Sequence, residues 1–429
     1  MRAWAPFLLA GCAQMQVAYF SSDATPPIGH PLCGGWIKPV EAVDQPLELR
    51  GVVLSDGQTR VVICALDWCR LQTGAYDLFR KKIAEAAGVP ESHVAVQTIH
   101  AHNAPIADIE AELLLQREAS PPPHLDLKFM EVVTDRAATA VRAATPRRFT
   151  HIGYGMAQVE QFASSRRIVL NGKMSSRFSS AGKEPAMRDA PEGRIDPWLR
   201  TVTLFYGERP LVRLHYYATH PMSFYGDGRA TPDVPGFARA KVEPGVDQIY
   251  FTGCAGDVTA GKYNDGSPES RVRLTDRLVA GMKGAIAATR RAPVDKFEWD
   301  TSTVRFAVRA DPDEQLRREI AAGPVDKRIK AALALAWIKR AAQPVDLSRL
   351  RLGPVDLLHL PGEPFVEYQL YAQSLRADRF VAVAGYGECG PGYICTDAAL
   401  SEGGYEPTMS LVGPPSELLL KSAIAELLR

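Results

Sequence analysis

Apolar positions along this chain come mostly in short runs that stop abruptly at glycine, proline or a polar cluster, and longer stretches with helical spacing lie between them. Residues 16–20 read as a strand running into the turn at Pro26-Pro27. Residues 47–54 and 60–66 flank Ser55-Asp56-Gly57 and predict a hairpin. Residues 73–87 place Leu78, Ile83 and Ala87 on one side and predict a helix ended by Gly88 and Pro90. Residues 93–99 follow as a buried strand, so strand, helix and strand form a crossover unit.

The alternation continues downstream. Strands are expected over 149–154, 201–205, 212–217, 248–252, 303–310, 352–360 and 380–384. Helices are expected over 125–144, 234–242, 270–288, 365–376 and 415–428. Residues 311–343 predict an alanine-rich helical pair split at Gly323-Pro324, whose basic face reads as solvated surface. Residues 111–124, with Pro121 to Pro123, read as a surface excursion, and residues 175–194 as a long loop. No internal repeat and no dividing linker is visible. The expectation is therefore α/β: one large domain over residues 16–429, with a mixed sheet flanked by helices.

Charge narrows the function. The 429 residues carry a formal net charge of +1, which argues against nucleic acid as the main partner. No apolar run is long enough to span a bilayer. Residues 1–12, M-R-A-W-A-P-F-L-L-A-G-C, read as a short export signal within a leader of residues 1–15, and L-L-A-G-C resembles a lipoprotein processing site. A secreted, periplasmic or lipid-anchored protein with peripheral membrane contact is favoured over a cytoplasmic one. Seven cysteines do not make a disulfide scaffold at this length. Cys64 and Cys69 read as core thiols. Cys389 and Cys395 flank G-P-G-Y-I, where a loop-closing disulfide is conceivable outside the cytosol.

The chemistry sits at strand ends. Residues 94–108 read V-A-V-Q-T-I-H-A-H-N-A-P-I-A-D, an apolar run stopping at His100 and His102. Side chains two apart on a strand project to the same side, so these imidazoles can converge on a metal ion or a bound carbonyl group. His220 in A-T-H-P and Glu363 in L-P-G-E-P occupy similar places, and Tyr393 and Tyr405 follow in a later loop. In α/β sheets, ligands bind at such strand ends. Two imidazoles and a carboxylate are a frequent catalytic zinc set that leaves a position for water. Taken singly, each residue has a structural reading: Glu363 as a helix cap, His220 as a satisfied core histidine, the tyrosines as packing.

The ordered set D-A-T-P-P, T-I-H-A-H-N-A-P, A-T-H-P, G-D-V-T, L-P-G-E and G-Y followed by G-G-Y-E resembles the neutral/alkaline (non-lysosomal) ceramidase family over nearly the whole chain from Gln16. That resemblance implies a zinc amidase acting on ceramide or another N-acyl lipid or amide. It implies His100, His220, Glu363 and Tyr393 as Zn2+ ligands. His102 and Tyr405 would hydrogen-bond the substrate near the amide, and Arg166 in S-S-R-R would be a substrate-contacting arginine. Three features depart from the family pattern. Thr259 stands where the family has serine, the glycine-rich continuation after T-I-H-A-H-N-A-P is missing, and the family's C-terminal β-sandwich domain is expected to be absent. Two other readings stay open. One is a hydrolase of the metallo-β-lactamase or amidohydrolase type, although the former's Asp-His is lacking and several strands precede this H-x-H pair. The other is a non-catalytic binding descendant.

Overall fold

The structure, a computed structural model, describes residues 15–429, so the leader reading of residues 1–12 lies outside the described residues. One strand-and-helix pattern is used three times. In the first unit, β1 (Gln16–Asp23), β2 (Glu48–Ser55) and β3 (Arg60–Leu66) are antiparallel neighbours. Helix α1 (Thr73–Ala87) crosses over and returns the chain as β4 (Val94–Thr98), parallel to β3. Helices α2 (Ile109–Leu115) and α3 (Leu127–Ala143) follow, and Arg147–Arg148 pairs with the free edge of β1.

The second unit repeats this order. Strands β5 (His151–Gln158), β6 (Trp198–Tyr206) and β7 (Arg209–Tyr217) are antiparallel. Helix α4 (Asp233–Val242) leads to β8 (Asp247–Thr252), parallel to β7. Helix α5 (Pro268–Ala287) follows, and Arg290–Pro293 closes the edge at β5.

The third unit has β9 (Phe297–Val304), an inserted helix pair α6 (Asp313–Ala322) and α7 (Val325–Arg340), then β10 (Val345–Leu352) and β11 (Val355–His359). Helix α8 (Val366–Leu375) crosses to β12 (Phe380–Ala384), parallel to β11, and α9 (Ser416–Leu427) packs back on β9. In all three units the last helix lies on the first strand and against the crossover helix.

The fourth strands of the units meet at their C-terminal ends. Thr98 N donates to Tyr386 O (2.8 Å), Gly385 N donates to Thr252 O (2.9 Å), and Thr252 Oγ1 donates to Ile99 O (2.6 Å). The bonds form a closed ring around one centre. They satisfy backbone groups that would otherwise end, unpaired, in a buried core.

The α/β class and the hairpin over 47–66 therefore hold, with the sheet material divided among three mixed sheets. The internal repeat is a correction: corresponding strand ends read T-I-H, T-G-C and A-G-Y, so it lives in register and order rather than in residues. Helix α7 buries Ile329 and Ala331 to Trp337 while Lys327, Lys330 and Lys339 stay exposed, so its basic face is solvated as expected. Its alanines let neighbours approach closely. The excursion over 111–124 begins inside α2, whose N-terminus Asp108 caps through Ala111 N (3.0 Å). The apolar run 352–360 hides the turn Gly353-Pro354 between β10 and β11. Cys389 and Cys395 are buried free thiols.

Two contacts join the units and give measurable expectations. Arg239 on α4 pairs with Asp67 at the end of β3 through Nη1–Oδ1 (2.8 Å) and Nη2–Oδ2 (2.6 Å), and both are buried. Asp67→Ala strands the guanidinium, and denaturant unfolding should show a loss of about 3–5 kcal/mol. Glu388 Oε1 accepts from Thr73 N (2.9 Å) and Gly390 N (2.8 Å), linking the third unit to α1. Burial pushes its carboxyl up to about 8 from the ordinary 4.5, with Arg340 opposing. The folded state then keeps a proton that the unfolded chain has released. Its stabilising share is present below pH 4.5 and lost as pH rises to about 8. Stability measured across that window should fall, and Glu388→Gln should flatten the slope.

Candidate active site

The ring of strand ends delivers side chains from all three units to one place. His100 follows β4 with φ of 67°, a left-handed conformation that costs a non-glycine residue on the order of 1–3 kcal/mol. Its ring stacks on Tyr386, with centroids 4.3 Å apart. His220 follows β7 and is bridged through its backbone to Thr259. Glu363 and Tyr393 lie side by side in register on a short parallel pair, Glu363–Pro364 with Tyr393–Ile394. Gly362 ahead of Glu363 has φ of +67°, and a Cβ there would meet Ile394 Cδ1 at 2.7 Å. The tight turn that presents the carboxylate therefore needs glycine.

Hydrogen bonding settles which imidazole nitrogens are free. His100 Nδ1 donates to Cys69 O (2.8 Å), and His220 Nδ1 donates to Ala255 O (2.7 Å). A carbonyl only accepts, so both Nδ1 atoms carry a proton and both rings turn Nε2 toward the centre. These two Nε2 atoms are 3.1 Å apart. Glu363 Oε2 lies 3.1 Å from His100 Nε2 and 3.6 Å from His220 Nε2. His102 Nε2 is 3.3 Å from His100 Nε2, so three imidazoles share the centre.

The surroundings fix the charges. Burial, with Arg166 adding to it, pushes the His220 imidazole down to about 3, and burial pushes His102 down to about 4. Both are neutral at neutral pH. Burial would raise Glu363, but Arg70 and the imidazoles outweigh it and hold the carboxyl well below its usual range. Arg70 ion-pairs with Oε1, leaving Oε2 for the histidines. Neither carboxylate oxygen receives a well-formed hydrogen bond. An ionised carboxylate, the neutral His220 and His100 Nε2 facing one point make a set that fits a divalent cation.

Tyr393 sits beside this set, stacked against His220, and its hydroxyl accepts from Arg166 Nη1 (2.8 Å). Arg166 comes off Ser164–Ser165, which pairs with Val258–Thr259, and its guanidinium also lies 5.5 Å from the Tyr405 ring centroid. A cavity of about 170 Å³ has Arg70, His102, Arg166, Tyr393 and Tyr405 in its wall. Its apolar side includes Trp36, Phe178, Met222, Tyr225 and Met409.

The sequence-derived candidates His100, His102, His220 and Glu363 thus converge, with Tyr393, Tyr405 and Arg166 adjoining them. Thr259 is buried, its hydroxyl donates to Ser179 Oγ (3.1 Å), and it does not line the cavity. Sequence reasoning passed over Arg70, Tyr386 and Cys33. Arg70 stands two residues after Trp68 at a strand end, the signal that found the histidines. Cys69, read as a core thiol, is in the cavity wall.

Glu363→Gln removes the site's anionic ligand without changing its shape. Affinity for Zn2+, measured by competition with a chromophoric chelator, should fall by more than the roughly 10–100-fold typical of losing a supporting partner. Unchanged affinity would place the ion elsewhere.

A scan against protein-family models finds no matching family, and a search of curated proteins finds no match. Solved structures do match. Neutral ceramidase from Pseudomonas aeruginosa aligns over 97% of this chain and 74% of its own, with a TM-score of 0.71 and 13% identity. A structure described as ceramidase complexed with C2 aligns over 97% and 75%, with a TM-score of 0.72 and 14% identity. Identity this low speaks for architecture rather than chemistry. The three-unit α/β architecture of this chain is the neutral ceramidase fold.

Proposed function

We propose that the chain is a zinc-dependent hydrolase of a linear amide bond, acting on ceramide or another N-acyl compound. One observation carries the reading: two buried Nε2 atoms 3.1 Å apart face an ionised carboxylate, next to His102, Arg70 and Tyr393 in the wall of a cavity. His100, His220, Glu363 and Tyr393 would hold the ion. When bound, Zn2+ supplies a water of pKa lowered toward ~7 and polarises a carbonyl.

The chain's own residues do the rest. Arg70 holds Glu363 Oε1 and so aims Oε2 at the histidines. Arg166 fixes the Tyr393 hydroxyl and adds positive charge where an amide carbonyl would develop negative charge. His102 is neutral and carries a single N–H, and burial raises the Tyr405 phenol above its ordinary value. Both can donate hydrogen bonds to the amide, and the neutral His102 can take a proton from the attacking water and pass it to the departing amine. Thr259 supports His220 through its backbone bridge.

The cavity's size selects what enters it. About 170 Å³ has room for the reacting amide and its nearest carbons rather than for a whole lipid. Longer chains would run out past Phe178 and Tyr225, both 49% exposed. An apolar rim of this kind suits an acyl chain.

The test is hydrolysis of a panel of N-acyl amides and matching esters by the full chain. Turnover of at least one amide should vanish with a chelator and return with Zn2+, and His220→Ala should abolish both activity and that ion. Activity indifferent to chelation, or zinc fully retained in His220→Ala, would refute the assignment.

A further inference from the structure

A second cluster of metal-ligating atoms adjoins the first. Cys33, Cys69 and His102 each offer one ligand atom, and these atoms lie within 4.8 Å of one another. Both cysteines are free thiols, 3% and 1% exposed, and all three residues line the cavity. The backbone holds the thiols in place. Cys33 N donates to Ala104 O (2.8 Å) and Cys69 N donates to Pro105 O (2.9 Å), so consecutive carbonyls of one segment anchor the two residues. Cys33 itself has φ of 46°, a left-handed conformation that persists only where its surroundings impose it.

A second observation points to a ligand. His102 Nδ1 is buried and has no hydrogen-bond partner, while Nε2 of the same ring lies 3.3 Å from His100 Nε2. An imidazole nitrogen left unpaired inside a protein costs about 1–3 kcal/mol unless something occupies it. Two sulfurs and one nitrogen are a soft donor set, suited to Zn2+ or Cu+ rather than to Mg2+ or Ca2+. Three protein ligands leave a fourth position open.

We propose that Cys33, Cys69 and His102 form a second cation site of soft-metal type, next to the His100–His220–Glu363 centre. It is independent of whether the chain hydrolyses amides. His102 stands between the two sites, so an ion on the thiols would fix the orientation and tautomer of the imidazole that faces the first centre.

Cobalt tests it, because thiolate-bound Co2+ gives a near-ultraviolet charge-transfer band that nitrogen and oxygen ligands do not. The reduced full chain, stripped with a chelator, is titrated with Co2+ and separately analysed for Zn2+. The wild type should bind about two equivalents and show the thiolate band. Cys33→Ser and Cys69→Ser should each lose the band and about one equivalent, whereas His220→Ala should lose the other equivalent and keep the band. The wild-type titration decides the matter even if a serine variant folds poorly: no thiolate band at saturating Co2+ overturns the proposal. A band unchanged in both serine variants also overturns it, as does a Cys33–Cys69 disulfide in the protein as isolated. A retained band in an inactive chain would leave this site standing while the proposed function failed.

Discussion

Two imidazole Nε2 atoms 3.1 Å apart, both facing an ionised carboxylate, constrain everything around them. Both Nδ1 atoms are tied to backbone carbonyls, and burial opposes a charge on His220. The divalent cation proposed above would satisfy the set. The neighbouring residues make sense as supports for that requirement. Arg70 takes the carboxylate oxygen the histidines do not face, Arg166 takes the Tyr393 hydroxyl, and Tyr386 lies flat against His100.

The threefold arrangement explains how residues so far apart in sequence reach one point. Each unit contains a parallel strand pair, whose C-terminal ends open on the same side of its sheet. The ring through Thr98, Thr252, Gly385 and Tyr386 brings those ends together. The first unit then contributes His100, the second His220, and the third Glu363 and Tyr393. A backbone that is nearly symmetric thus carries side chains that are not. Packing and register set the symmetry, and residue identity at the strand ends supplies the chemistry.

That division also decides what could be read beforehand. His100, His102, His220 and Glu363 were legible because each ends an apolar run abruptly, and burial of such runs leaves few places for polar groups. The repeat was not, because T-I-H, T-G-C and A-G-Y share no residue pattern. The basic face of α7 was legible as solvated from its lysines near the two ends, whereas the buried run Ala331 to Trp337 between them shows no helical period. Gly353-Pro354 was missed because apolar residues on both sides merged two strands into one run. Cys33 and Tyr386 gave no local signal. Their roles come from contacts made across the units.

Charge balance shows how such a centre would respond to its ion. Within it, Arg70 offsets the Glu363 carboxylate and Arg166 lies on the Tyr393 hydroxyl, so the centre carries no excess negative charge before any cation enters. A divalent cation adds charge that the low-dielectric interior does not tolerate uncompensated. Tyr393 is the adjoining group able to release a proton. Burial holds its phenol well above the usual range, with Arg166 pulling the other way. Nearby positive charge strengthens the same pull, so uptake of the ion and loss of the phenolic proton favour each other. With the proposed ion, affinity at this centre would then rise with pH, even though His220 and His102 are already neutral. Tyr393 would then make the site pH-sensitive through a phenolic proton, with His220 and His102 neutral throughout.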